Sequence, residues 1–126
     1  MIKGVGIDIV EVSRIREDIL KYNDKFLRYI YTDEEIKYCE SFDDLKNSKF
    51  IHYAGRFAAK EAFSKAIGTG ISNIFKFRDI SIINNENGMP IIKLSGELFN
   101  QFSKYRCHIS LSHTCDNAAA YVIIEE

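Results

Sequence analysis

Residues 56–71 constrain the fold more than any other part of the sequence, because they predict one amphipathic helix with a defined end. Their small and aromatic apolar residues recur three and four positions apart, so they share one helix face that must be buried. These residues are Ala59, Ala62, Phe63 and Ala66. Gly68 and Gly70 follow the last apolar turn, where glycine commonly ends a helix. No proline interrupts the preceding residues, so we expect the helix to begin near Phe50.

Two charged residues of this helix, Glu61 and Lys65, lie nearly opposite the apolar stripe. A Glu and a Lys four positions apart are a common exposed pair that contributes only about 0.2–0.5 kcal/mol. The alternative is that both side chains belong to a functional site. Lys60 lies on a shoulder of the helix between the two faces.

The composition is that of a single domain covering residues 1–126, with 46% hydrophobic and 28% charged residues. No apolar run approaches the roughly 20 residues that cross a bilayer, and the first residues lack the pattern of a signal peptide. We therefore expect a cytoplasmic protein without a membrane partner. The net charge of −1 gives no general attraction to nucleic acid. The three cysteines lack the paired spacing of a zinc site.

The order of hydrophobic patterns predicts an α+β domain in which an antiparallel sheet packs on the long central helix. Two short helices are expected between residues 11 and 31, with a break near Asn23. Thr32 and Glu35 have the spacing of a capping box at the start of a further helix. The predicted strands are residues 2–10, 79–84, 91–95, 107–113 and 117–124, and a last helix is expected within residues 96–105.

The first predicted strand carries Asp8 on the same face as Gly4 and Gly6, opposite a row of apolar residues. The glycines leave room for another backbone or a ligand beside Asp8. An acid in such a place suits a metal ion or a phosphate-binding site. The other interpretation is that Asp8 caps the following helix.

The end of the fourth predicted strand carries Ser112 and His113. Because they are neighbours in a strand, their side chains point to opposite faces and cannot act together as a nucleophile and its base. This excludes a serine hydrolase that uses the two as a pair. Hydroxyl and imidazole groups at a strand end do suit a phosphate, which accepts several hydrogen bonds.

Three blocks of this sequence share the pattern of a known family. They are residues 4–11 (GVGIDIVE), residues 55–66 (GRFAAKEAFSKA) and residues 110–113 (SLSH). In this order, in a chain of this length, they resemble the bacterial holo-acyl-carrier-protein synthases, the short type of 4′-phosphopantetheinyl transferase. The resemblance extends through residues 68–70 and is looser in residues 37–51 and 73–106.

The resemblance implies that the chain transfers the 4′-phosphopantetheine arm of coenzyme A to a serine of apo acyl carrier protein, for fatty acid biosynthesis. Adenosine 3′,5′-bisphosphate is the other product. Asp8 and Glu61 would bind Mg²⁺, with Mn²⁺ as a substitute; two carboxylates completed by water and phosphate oxygens suit this ion. Glu61 or a metal-bound water would be the base, and Lys65 would stabilise the leaving group. The residues implied to hold the nucleotide are Lys60, Lys65, Gly68, Thr69, Gly70, Ser112 and His113.

The resemblance also implies a homotrimer with sites between subunits. One chain would supply Asp8 and Glu61, and its neighbour would supply Ser112 and His113. A mildly basic helical face would dock the acidic carrier protein, although charged helix faces are commonly only solvated. This face comprises Arg14, Lys21, Lys25 and Arg28.

Two other classes of function use some of the same residues. A nucleotide-binding regulatory module would need the phosphate contacts without turnover. A purely structural trimer would need none of the acids.

Overall fold

The computed structural model describes residues 1–42, 47–68 and 76–126, whose elements follow the predicted order. The first half comprises β1 (Ile2–Glu11), α1 (Val12–Tyr22), α2 (Asp24–Ile30), α3 (Asp33–Glu40) and α4 (Ser48–Ile67). The second half comprises β2 (Ile80–Asn84), β3 (Pro90–Leu94), α5 (Gly96–Phe102), β4 (Arg106–His113) and β5 (Asn117–Glu125), and a 3₁₀ turn, Phe77–Asp79, precedes β2. The α+β fold expected from the sequence is confirmed.

The strands pair in two antiparallel sheets. In the larger sheet β5 lies between β1 and β4, and in the smaller one β2 pairs with β3. The register places Asp8 opposite Ala120, which in turn lies opposite Leu111. His113 lies opposite Ala118, two residues further along. Asp8 and His113 are therefore on the two outer strands of the same sheet.

Helix α4 is the centre of the core, with β1 and β5 packed along it and α1 and α3 on its other sides. The predicted apolar stripe is buried, since Ala59, Ala62 and Phe63 are each 0% exposed. The helix ends where expected, at Gly68, whose φ of 82° is left-handed. Burial extends beyond the stripe to Arg56 and Lys60, so the helix is enclosed on more than one face.

Two local predictions about the first helices are also confirmed. Asn23, with a φ of 50°, separates α1 from α2. Thr32 and Glu35 form the capping box: the Thr32 hydroxyl accepts a hydrogen bond from the Glu35 amide, and the Glu35 carboxylate accepts one from the Thr32 amide. Within the described residues, no helix combines the length and apolar character needed to span a membrane.

The glycines of β1 bring the strand backbone against α4. A Cβ atom on Gly6 would lie 1.9 Å from the Ala62 carbonyl oxygen, and one on Gly4 would lie 1.9 Å from that of Ala66. Real Cβ atoms do not approach this closely, so only glycine allows this separation. The close backbone approach predicted beside Asp8 is therefore made by α4.

The opposite face of β1 carries its large apolar residues, and this face is open to solvent. Val5, Ile7 and Ile9 are 51%, 61% and 68% exposed. They continue across the sheet to Tyr121, which lies opposite Ile7 and is 41% exposed. The apolar row of the first strand thus faces away from the core of the chain.

Adding one methyl group at two glycines should have opposite effects on stability. Gly6→Ala forces β1 away from α4 and should lower the free energy of unfolding by about 1–3 kcal/mol. Gly55→Ala is the matched control, because nothing lies within 4 Å of a Cβ there. It removes glycine from a helix interior and should raise stability by about 0.5–1 kcal/mol. Urea unfolding of both variants measures the difference, and equal effects would contradict the packing described.

Candidate active site

Asp8 and Lys65 meet where β1 crosses α4. The Lys65 ammonium donates to Asp8 Oδ1 at 3.1 Å and to the Ile7 carbonyl oxygen at 2.9 Å. The Asp8 side chain is 18% exposed, and that of Lys65 is 53% exposed. The site is therefore open to solvent on one side and backed by the core on the other.

Glu61 lies one helical turn before Lys65 and is half-buried. Burial raises the pKa of the Glu61 carboxyl above its ordinary value, and the negative charge of Asp8 raises it further. The charges of Lys65 and Arg14 act in the opposite direction. Two carboxylates thus face one site from different elements, and their repulsion is relieved only in part by the nearby cations.

This geometry decides two of the alternatives left open by the sequence. Helix α1 begins at Val12 after Glu11, and Asp8 does not cap it, so the capping interpretation is wrong. The Lys65 ammonium pairs with Asp8 across the β1–α4 contact. Glu61 and Lys65 therefore line a cluster with Asp8 instead of forming only an exposed pair on one helix.

The donor set fits a small divalent cation. Mg²⁺ is commonly held by one or two carboxylates, with water and substrate phosphates as its other ligands. Asp8 and Glu61 offer two carboxylates, and the charge of Asp8 acts on Glu61. Within the described part of the chain, no group of three or more His, Cys, Asp or Glu residues could hold a metal ion. The cluster therefore suits an ion that shares its ligands with a substrate.

Lys60 requires a correction, because the structure does not bring it to this cluster. Its side chain is 0% exposed and its ammonium donates to Glu35 Oε1 at 2.6 Å. The same nitrogen donates to the carbonyl oxygens of Ile30 and Phe77. With these three partners inside the core, Lys60 does not reach a nucleotide in this arrangement.

The glycine segment is described only in part. Gly68 caps α4 and lies beyond Lys65 at the same end of the helix. No atom of the described residues lies within 4 Å of a Cβ built at Gly68. Thr69 and Gly70, which were also expected to hold the nucleotide, lie outside the described residues.

Ser112 and His113 lie on opposite faces of β4, as predicted. Ser112 lies opposite Ala119, which lies opposite Ile9, so its side chain shares the open apolar face of the sheet. His113 faces the other way, with its ring centroid 6.3 Å from that of His52. Because β5 separates β1 from β4, His113 and Asp8 are roughly 10 Å apart across the strands alone. One chain therefore does not bring Ser112 and His113 onto its own Asp8 cluster.

Arg56 is a candidate binding residue that the sequence-based site did not include. It is 3% exposed, and its Nε has no hydrogen-bond partner among the described residues. Its guanidinium lies 4.2 Å from the centre of the Tyr38 ring. It lines a cavity of about 390 Å³ together with His52, Asn84 and His113. A buried guanidinium with an unpaired Nε–H beside a cavity has a hydrogen-bond donor available to an anion.

The four residues of the predicted docking face are all exposed on α1 and α2. Arg14 lies closest to the cluster: its charge acts on Glu61, and its guanidinium lies 5.5 Å from the Phe57 ring centre. Lys21 lies over Tyr22. Lys25 borders an apolar depression formed with Tyr22, Phe26 and Tyr29. Arg28 is partly neutralised by Asp33 at 3.5 Å.

Comparison with known proteins places this architecture in one family. Residues 4–123 match the model of the 4′-phosphopantetheinyl transferase superfamily. A curated relative from Clostridium tetani, a holo-[acyl-carrier-protein] synthase, is 45% identical over 128 residues, which cover 99% of this chain and 97% of the relative. The chain belongs to the 4′-phosphopantetheinyl transferase superfamily, and the resemblance seen in the sequence is confirmed.

Solved structures agree with this membership over the full length. The holo-(acyl-carrier-protein) synthase from Bacillus anthracis, in complex with CoA (3′,5′-ADP), has a TM-score of 0.82 and 40% identity, over 100% of this chain and 98% of that one. The synthase from Neisseria meningitidis has a TM-score of 0.87 and 33% identity, over 100% of both chains. Both similarities concern the whole fold and not one motif.

The cavity beside Arg56 gives a prediction for the dependence of stability on pH. Burial, together with the charge of Arg56 and the proximity of His113, lowers the pKa of His52 to about 4. In the unfolded chain the pKa is near 6.5, so the unfolded state takes up this proton first and stability falls as pH drops from about 6.5 to about 4. His52→Phe keeps a ring against Phe42 and removes this loss. The melting temperature of the variant should fall less between pH 7 and pH 4.5, and an equal fall in both proteins would contradict the assignment.

Proposed function

We propose that this chain transfers the 4′-phosphopantetheine group of coenzyme A to a serine of apo acyl carrier protein. The products are holo acyl carrier protein and adenosine 3′,5′-bisphosphate. The observation that carries the proposal is the Asp8–Glu61–Lys65 cluster in a chain of this family. The cluster comprises two carboxylates and an ammonium group where β1 crosses α4. The full-length similarity to proteins named holo-[acyl-carrier-protein] synthase supports this substrate pair.

Asp8 and Glu61 would hold Mg²⁺, or Mn²⁺ in its place, together with phosphate oxygens of coenzyme A. When bound, such an ion neutralises charge on the pyrophosphate. Lys65 would supply a positive charge beside the leaving bisphosphate, since its ammonium already lies within hydrogen-bonding distance of Asp8. The proposed site thus comprises the carboxylates of Asp8 and Glu61 and the exposed ammonium of Lys65.

Glu61 is the residue of this chain that we propose as acceptor of the serine proton. In the chain without an ion, burial and the Asp8 charge raise the pKa of the Glu61 carboxyl, which favours proton uptake relative to an exposed glutamate. The serine oxygen forms a bond to the phosphorus that carries the pantetheine arm. The bond between that phosphorus and the bridging oxygen of the pyrophosphate breaks, and the bisphosphate leaves with the electron pair.

The nucleotide would be held by residues from two regions. Lys65 lies at the cluster and Gly68 follows it at the end of α4, whereas His113 and Arg56 line the cavity beside β4. Because these regions are separate within one chain, we propose a homotrimer in which the cavity of one subunit meets the cluster of the next. The exposed apolar row of Val5, Ile7 and Ile9 supports a subunit contact, and Ser112 lies on the same face.

The carrier protein would dock on the exposed bases of α1 and α2. Carrier proteins of this kind are acidic, so opposite charge would steer them to the face of Arg14, Lys21, Lys25 and Arg28. Arg14 would lie nearest the reacting serine, because its charge reaches Glu61. We propose that the enzyme acts in the cytoplasm, in fatty acid biosynthesis.

The transfer and its two acids can be tested by mass spectrometry. Apo acyl carrier protein incubated with the chain, coenzyme A and Mg²⁺ should gain the mass of one phosphopantetheine group. Asp8→Asn and Glu61→Gln should slow the gain by roughly 100-fold or more, because each removes a fixed charge from the site. Glu97→Gln on α5 is a matched control and should act like the wild type, since Glu97 is exposed and bonds only within its helix.

The same assay separates the rival classes of function. A nucleotide-binding module would bind coenzyme A without changing the carrier mass, and a structural trimer would do neither. No mass gain with the wild-type chain would overturn the transferase proposal. Full activity of either acid variant at limiting Mg²⁺ would overturn the metal assignment.

The shared site predicts complementation between two inactive chains. Glu61→Gln lacks an acid of the cluster, and His113→Ala lacks the imidazole that the neighbouring subunit would supply. Mixed oligomers formed by co-expression contain some interfaces with both residues intact. Each mixed head-to-tail trimer has one intact site out of three, so these oligomers should regain roughly a third of wild-type activity. Purification through a different tag on each chain isolates these oligomers, and activity no higher than that of either parent would contradict a shared site.

A further inference from the structure

A buried ion pair joins α3 to α4. Glu35 and Lys60 are both 0% exposed, and their charged groups are 2.6 Å apart. Lys60 immediately precedes Glu61 in α4, yet its side chain is directed into the core and not toward the site. A pair this deep loses its hydration, so every oxygen and proton needs a partner inside the protein.

The pair meets this requirement by binding the backbone of several elements. Glu35 accepts from the Thr32 amide through Oε1 and from the Ile82 amide through Oε2, so it ties the start of α3 to β2. Lys60 donates to the carbonyl oxygens of Ile30 and Phe77, so it ties the end of α2 and the 3₁₀ turn to α4. Burial lowers the pKa of the Lys60 ammonium and the Glu35 carboxylate opposes this shift.

One of these contacts leads to the surface beside Glu61. The Phe77 ring stacks on Phe57, with 5.9 Å between centroids and an angle of 23° between planes. Tyr29 of α2 meets the Phe77 ring at its edge. Phe57 lies one helical turn before Glu61, and the Arg14 guanidinium lies over its ring. The Phe77 ring therefore packs against the side chain that lies beneath Arg14.

We propose that Glu35 and Lys60 are positioning residues, which hold Phe77 against Phe57 so that Arg14 is fixed for the incoming carrier protein. Neither residue touches a substrate. Their effect passes through the Phe77 carbonyl, two stacked rings and one guanidinium. This inference rests on the proposed function, because it assigns a role in carrier binding.

The alternative is a pair that only stabilises the fold. The double variant Glu35→Gln/Lys60→Met separates the two, because it removes both charges at similar volume and leaves no lone buried charge. We expect it to fold and to bind apo acyl carrier protein about 5- to 10-fold more weakly by calorimetry, because Arg14 loses its fixed position. The KM for coenzyme A should stay within about two-fold of the wild type, since the phosphate site is unchanged.

A fluorescent reporter tests the contact between the ion pair and residue 77 independently of catalysis. The sequence contains no tryptophan, so Phe77→Trp introduces a single probe at the stacked position. Adding Glu35→Gln/Lys60→Met to Phe77→Trp should increase acrylamide quenching of the tryptophan at least two-fold. The reason is that the carbonyl oxygen of residue 77 loses its hydrogen bond from Lys60. Lys93→Met is the matched control: it breaks an exposed pair with Glu34 at 3.5 Å and should leave quenching unchanged.

Phe77→Leu tests the stacking of Phe77 on Phe57 while leaving the ion pair intact. It also tests the proposal if the double variant does not fold. It should weaken carrier binding by a similar factor. Wild-type carrier affinity in Phe77→Leu, or a larger change in the KM for coenzyme A than in carrier affinity, would overturn the proposal. Absence of transfer by the wild type would instead overturn the proposed function, while the binding and quenching results would still decide this inference.

Discussion

The contact between the β1 backbone and α4 is the constraint on which the rest of the structure depends. Gly4 and Gly6 allow the strand to lie against the carbonyl oxygens of Ala62 and Ala66, closer than any side chain permits. This contact places Asp8 beside the one stretch of α4 that carries both an acid and a base, Glu61 and Lys65. The site is thus a consequence of helix–strand packing, and its geometry changes whenever that separation changes.

Helix α4 is also unusual in what it buries. A helix in the middle of a small domain is commonly enclosed by apolar contacts, yet here Arg56 and Lys60 are almost fully buried. Lys60 is satisfied by one carboxylate and two carbonyl oxygens, whereas Arg56 lies against Tyr38 and keeps an Nε that is unpaired among the described residues. The Lys60 ammonium thus has its partners inside the core, whereas the Arg56 guanidinium keeps an Nε–H donor available to an anion. These two cations lie four positions apart on one helix, yet their partners differ.

Much of the fold could be predicted from local sequence, and the parts that could not depend on distant residues. Periodicity located α4 and its end at Gly68, and the Thr32–Glu35 spacing gave the start of α3. The partner of Lys60 could not be predicted, because Glu35 lies 25 positions away and already had a local explanation as a capping residue. The grouping of Asp8 with Glu61 came from the family resemblance, since spacing alone left Asp8 open to a capping role. The open apolar face of β1 has the alternation of any half-buried strand, so the pattern does not tell which side the core covers.

The Asp8–Lys65 contact joins residues 57 positions apart in the chain. During folding, such a contact closes a long loop, so it forms only after the strand has found the helix. Neither α4 as a peptide nor any fragment lacking the first ten residues would carry the complete cluster. The cluster therefore exists only in the finished tertiary structure, and no local segment of the chain contains it.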